Sequence, residues 1–377
     1  MKRKFQKEET PAPHQTVRHA FRTEKRSKAV PPDDLPGLIR LDTDASPYPP
    51  SPAVIRAVQE TANGSLRRAP EAGALWTLRE AIARREGLPS PESVLLTAGA
   101  QAGAALAILA LARTETPLAV TEDLWADYAK AAALFGKPVR RVPLTAEFSL
   151  PEELFEGQSG AALANPGAFF GREIPEEALR RLCGTTDGMV FLDERHQGYG
   201  AASGAGLLSS CPNLVILRTF STAYALGGLR AGYVLGTPET IAALSTAQEA
   251  LFPAPVGTVA LAAAQAALAD GGYSGRVRQK IIETREETVK RLQKQGYFVV
   301  PSHAGFFCAA HPARDARALR EELFLRGIRV RCVFSQQNGW FLRCSVGTDS
   351  EMERLCYALG EAGGETEDVG GDAGKTF

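Results

Sequence analysis

Seven short apolar runs, at 93–97, 118–121, 139–143, 161–164, 189–193, 214–218 and 231–235, alternate with segments of helical period. No other feature constrains this chain's fold as tightly. The helical segments are predicted to start near Pro52, Leu75, Gln101, Trp125, Pro175 and Pro238. A strand that is apolar on both faces must be covered on both faces. Alternation with helices therefore predicts an α/β domain, a mostly parallel seven-stranded sheet between two helical layers. Beyond residue 255 the pattern changes. A small-residue helix at 258–269 leads into a charged helix at 276–295. Strands are expected at 298–300, 305–309, 328–332 and 340–346, and helices at 315–326 and 349–362, which makes a smaller α+β unit. The expected boundaries are an arm over 1–40, a large domain over 41–255, a small domain over 256–360 and a tail over 361–377.

The two ends read differently from the middle. Residues 1–28 carry nine Lys/Arg against three Glu, so the arm is basic and solvated. Residues 361–377 are Gly-rich and acidic and read as a disordered tail. Its Gly374-Lys375-Thr376 is a poor phosphate-loop match, because Val369 stands where the loop needs glycine. Over the whole chain 43 Lys+Arg balance 43 Asp+Glu, which gives no case for a nucleic-acid or anionic-membrane partner. The longest apolar run is too short to span a bilayer. The start, MKRKFQKEET, has no apolar stretch behind its charges, so no secretory signal is expected. Six scattered cysteines contain no C-x-x-C pair, so neither a metal site nor a redox pair is suggested, and a reducing cytoplasm fits.

Chemistry concentrates where strands end. The run Phe191-Leu-Asp-Glu-Arg-His196 puts Asp193 at a strand's carboxyl end, the edge at which open α/β sheets bind ligands. Thr97-Ala-Gly-Ala-Gln101 runs from a strand into a helix start, where free backbone N–H groups suit an anion. The segment from Arg218 to Tyr233 carries Thr219, Ser221, Gly228, Arg230, Gly232 and Tyr233. Those six positions fit the pattern Thr-x-Ser-Lys-x-x-x-x-x-Gly-x-Arg-x-Gly-Tyr of fold-type I pyridoxal-phosphate (PLP) enzymes. The chain resembles the aminotransferase class I/II group over about residues 40–360, and histidinol-phosphate aminotransferase-like proteins in particular.

The resemblance implies the aspartate aminotransferase fold, a homodimer with its active site between subunits, a small amino-acid substrate or adduct, and PLP as cofactor. It also implies roles. Gly99, Ala100, Gln101, Ser221 and Arg230 would hold the phosphate, with Arg230 as a two-pronged donor. Trp125 would stack on the pyridine ring, and Asp193 would pair with the ring nitrogen. Arg343, inside an apolar strand, would clamp the substrate carboxylate. His196 stands where the family has a tyrosine on the cofactor's phenolic oxygen, and imidazole suits proton transfer near neutrality. Asn165 opens the family's Asn-Pro loop and counts with the cofactor-binding residues.

The departures are as informative. Thr222 occupies the position of the lysine that bonds covalently to PLP and then moves substrate protons. Ala168 replaces an asparagine on the phenolic oxygen, and Ala69 replaces a tyrosine that reaches the neighbouring subunit's phosphate. PLP, if bound, is therefore expected to be held non-covalently. Thr222→Lys alone is expected to restore the covalent bond but little transamination. Two readings stay open: a transaminase with altered, lysine-independent PLP chemistry, or a non-catalytic relative that binds PLP, an adduct or a partner.

Overall fold

The computed structural model describes residues 37–363, apart from 65, 112–115, 157, 159 and 252. The basic arm up to residue 36 and the tail beyond 363 lie outside the described residues. The large sheet has seven strands. In order across the sheet they are Val94–Thr97, Gly232–Leu235, Leu214–Thr219, Met189–Asp193, Gly160–Ala164, Leu118–Thr121 and Val139–Val142. Six run parallel; Gly232–Leu235 is antiparallel to both of its neighbours. The six parallel strands therefore deliver their carboxyl ends to one edge.

Period-two alternation builds the two cores. Leu214 and Ile216 point into one cluster with Leu78, Ile82 and Leu192. Val215 and Leu217 point into the other with Leu106, Ile108 and Phe191. The strand residues are buried on both faces because helices cover both. Each strand expected in this sheet is present within about two residues of its predicted ends.

The smaller unit is a four-stranded antiparallel sheet, in the order Arg331–Ser335, Gly339–Ser345, Phe306–Ala310 and Phe298–Val300. Ile39–Arg40 pairs parallel with Ile328–Arg329, so both ends of the described chain join this unit. Two expectations shift. The helix expected from 276 begins five residues earlier, at Gly271, where Asp270 caps it by accepting from the Tyr273 N–H at 3.4 Å. Two glycines in its first turn hid that start from the sequence pattern. Helix Thr258–Ala269, expected in the small unit, packs Ala260, Leu261, Ala263 and Ala264 into the large core. A boundary at 255/256 cuts through that core, and the packing changes only at the cap, Asp270. Among the described residues no helix is long and apolar enough to cross a membrane. No group of His, Cys, Asp and Glu that could hold a metal is found among them either.

Candidate functional site

Four segments that leave the carboxyl edge of the large sheet carry the predicted site residues, and two of them meet at Gly99 and Arg230. Strand Val94–Thr97 runs through Gly99 into helix Ala100–Ala110. Gly99 has φ 84°, a left-handed conformation that favours glycine. A Cβ there would meet the Arg230 Nη2 at 3.1 Å. The first N–H groups of the helix have no intrahelical acceptor, and no side chain caps them. Beneath this turn, a Cβ on Gly232 would come within 2.8 Å of the Gly99 Cα. Glycine at 232 is what lets the returning strand bring Arg230 close to the turn.

Arg230 itself is held at φ 52°, unusual for a residue with a side chain. It is exposed, and its side chain has neither an ion pair nor a hydrogen bond among the described residues. Ser221 sits at the same turn, its Oγ accepting from the Thr219 Oγ1 at 3.0 Å. Gly99 thus lies against the Arg230 guanidinium at the uncapped start of helix Ala100–Ala110, its own N–H donating to the Thr97 carbonyl at 2.8 Å.

The other half of the cleft is internally satisfied. Asp193 is fully buried at the end of strand Met189–Asp193. Arg195, two residues on, folds back over it. The Arg195 Nε donates to both Asp193 oxygens at 3.0 Å, and its backbone N–H donates to the Asp193 Oδ1 at 3.1 Å. The Arg195 Nη1 reaches the Asp127 Oδ2 at 2.7 Å, in the first turn of helix Trp125–Leu134. Burial alone would lower this guanidinium's pKa, but Asp193 holds it raised. Thr222 is buried, and its Oγ1 donates to the Arg195 carbonyl at 2.8 Å. The residue at the lysine position therefore fastens the backbone of the arginine that covers Asp193. Tyr128 lies fully buried beside this group, with no hydrogen bond to its hydroxyl among the described residues.

Three of the predicted site residues have protein partners in the structure. Arg343 was expected to clamp a substrate carboxylate. Its Nη1 donates instead to Asp44 at 2.7 Å and its Nε to the Ala168 carbonyl at 3.1 Å, and it is 3% exposed. Burial would raise the Asp44 carboxyl, yet His196, Arg343 and Arg331 bring it down to about 2, so it is an anion throughout the physiological range. Asn165 is bonded within the protein as well. Its Nδ2 donates to the Ala202 carbonyl at 3.0 Å and its Oδ1 accepts from the Ile174 N–H at 2.9 Å. Asp193 keeps its place at the strand end, and its protein partner is Arg195.

His196 is buried edge-on to Phe306, with ring centroids 5.1 Å apart. Burial pushes its pKa down to about 4, so the imidazole is neutral near pH 7. It shares a small pocket with Asp44, Tyr199, Thr222 and Phe306. Trp125 is the first residue of its helix and is half-buried against the second core cluster. Ala69 is exposed on the turn before helix Ala72–Glu86. Five lysines lie among the described residues, at 130, 137, 280, 290 and 294, and none of them lines the pocket at Thr222.

Sequence reasoning missed Arg195, Asp127 and Asp44. Arg195 had a local signal, a cation two residues after a strand-terminal carboxylate. Asp44 had none, because it lies 299 residues from Arg343.

Comparison with known proteins shows the family. The family described as "Aminotransferase class I and II" matches residues 36–359. A histidinol-phosphate aminotransferase of Acetobacter pasteurianus is 35% identical over 324 residues, 85% of this chain and 90% of the relative. One of Chromohalobacter salexigens is 34% identical and covers 85% and 92%. Among solved structures, histidinol-phosphate aminotransferase from Sinorhizobium meliloti in complex with pyridoxal 5'-phosphate matches with TM-score 0.78 and 25% identity. That match covers 94% of this chain and 95% of the other. A putative histidinol-phosphate aminotransferase from Erwinia carotovora atroseptica, TM-score 0.78 at 22% identity over 86% and 95%, shares the fold.

The family's cofactor is PLP, and the two halves of this cleft fit it unequally. The phosphate half fits: Arg230, unpaired among the described residues, stands beside Gly99 at an uncapped helix start, and Ser221 lies on the Arg230 segment. The ring half does not. The carboxylate that would meet the ring nitrogen already has a guanidinium on it, and no amine stands at position 222.

Proposed function

Because this chain belongs to the aminotransferase class I and II family, we propose that it is a non-catalytic member, one that has kept the anion-holding half of the site. It binds a phosphate-bearing small molecule without a covalent bond, PLP or its amino-acid adduct among the candidates. Thr222 carries this reading. A threonine hydroxyl forms no stable covalent link to an aldehyde cofactor and is a poor base, and this one is already spent on the Arg195 carbonyl. A positioned general base typically contributes about 10²–10⁴ in rate. The other candidate base does not replace it, because His196 is buried against Phe306 and has no hydrogen-bond partner among the described residues. We place the protein in the cytoplasm as a homodimer, in keeping with its family and with six free cysteines, five of them buried.

The test is borohydride reduction of the full-length protein in the presence of PLP, followed by peptide mapping and an amine-transfer assay. No pyridoxyl-lysine in the cleft and no amine transfer are expected. A modified lysine that maps to the cleft, with turnover, would overturn the reading.

A further inference from the structure

The two carboxylates that Arg195 joins come from different walls of the cleft. Asp193 ends a central strand, and Asp127 lies in the first helical turn after Trp125. One guanidinium spans them, with the Arg195 Nε 3.0 Å from both Asp193 oxygens and the Nη1 2.7 Å from the Asp127 Oδ2. The Arg195 side chain is only 17% exposed and that of Asp193 is 0% exposed. The backbone under the arginine is fixed as well, by the Thr222 hydroxyl on its carbonyl and by its own N–H on the Asp193 Oδ1. A protonated heterocycle that came to Asp193 would have to displace a cation already making charge-assisted bonds there. The displaced guanidinium would leave two carboxylates at once.

We infer that Arg195 is a built-in cation that closes the ring end of the cleft, so that the site selects its ligand by phosphate alone. The ligand class is then a small phosphate monoester, or inorganic phosphate itself, with no requirement for a pyridine ring. This rests on the proposed non-catalytic reading and narrows it. The two halves act separately. Arg230, Ser221 and the helix N-terminus supply the attraction, and Arg195 removes the discrimination for the ring that Asp193 would otherwise provide.

Calorimetric titration of the full-length protein tests this with four probes: inorganic phosphate, glycerol phosphate, pyridoxine 5'-phosphate and pyridoxine. Pyridoxine 5'-phosphate has the ring and the phosphate but no aldehyde to react with surface lysines. The three phosphates should bind within about fivefold of one another, roughly 1 kcal/mol, and pyridoxine should not bind. Arg195→Ala should tighten pyridoxine 5'-phosphate by about tenfold or more and leave inorganic phosphate unchanged. Should that variant fail to fold, the comparison of probes on the unaltered protein decides alone. Pyridoxine 5'-phosphate binding the unaltered protein about a hundredfold tighter than inorganic phosphate would overturn the closed ring end while leaving the phosphate cup intact. No binding of any phosphate, or no loss of affinity in Arg230→Ala, would instead remove the cup, and the closed-ring proposal with it.

Discussion

The phosphate side and the ring side of this cleft are built from the same sheet edge, yet they treat their charges in opposite ways. On the phosphate side Arg230 stands exposed beside Gly99 with no protein anion against it among the described residues. On the ring side each charge has a protein partner: Asp193 has Arg195, and Arg343 has Asp44. A buried charge without a partner is costly, so a site that expects a ligand leaves exposed donors unpaired, and a site that has lost its ligand must supply the partner itself. Arg195 and Asp44 are such supplied partners. The difference separates a half with an exposed, unpaired cation among the described residues from a half whose charges are paired within the protein.

If that contrast is right, the two arginines should fail differently when removed. Arg195→Ala leaves a buried carboxylate uncompensated and should lower unfolding stability by about 3–5 kcal/mol in a denaturant titration. Arg230→Ala should change stability by no more than about 0.5 kcal/mol. Equal losses would erase the distinction.

The ring side should also carry a pH signature. His196 has a folded pKa near 4, against 6.5 for a free imidazole. Between those values the unfolded chain takes up the proton and the folded chain does not. Stability is therefore full above about pH 6.5 and falls as pH drops toward 4, by up to about 3 kcal/mol. His196→Gln should flatten that slope in melts recorded across the window. An unchanged slope would mean that the imidazole is not held neutral by burial.

Legibility followed sequence distance and exposure. The seven-stranded sheet was readable because strands buried on both faces must alternate with helices. Thr222, Ser221 and Arg230 were placed by a continuous motif that fixes their spacing, and Asp193 by its position at the end of an apolar strand. Helix Thr258–Ala269 was assigned to the wrong unit, because a run of small residues says that it is buried but not against what. The pairing of Asp44 with Arg343 had no sequence signal at all. Arg195 was visible as a residue, but its direction was not. A side chain just past a strand end is free of the strand's alternation, and only the three-dimensional position of Asp127 shows where it goes. That changes one expectation. Lysine restored at position 222 would still face a cleft whose ring end is closed, so Thr222→Lys alone should not regain the covalent cofactor bond, and Thr222→Lys with Arg195→Ala should.

Two smaller effects sharpen the comparison further. Arg230→Ala should weaken inorganic phosphate about tenfold or more, the loss of a charge-assisted bond of roughly 1.5–3 kcal/mol, read by calorimetry. Thr222→Val removes one buried hydrogen bond to the Arg195 carbonyl and should cost about 1 kcal/mol of stability, with no change in phosphate affinity. A fall in phosphate affinity there would couple the two halves.

The most direct measurement is a crystal structure of the unaltered full-length protein grown with pyridoxine 5'-phosphate. The phosphate should lie against Arg230 and the start of helix Ala100–Ala110, with Arg195 still on Asp193. A ring nitrogen within hydrogen-bond distance of Asp193, with Arg195 swung away, would contradict a closed ring end.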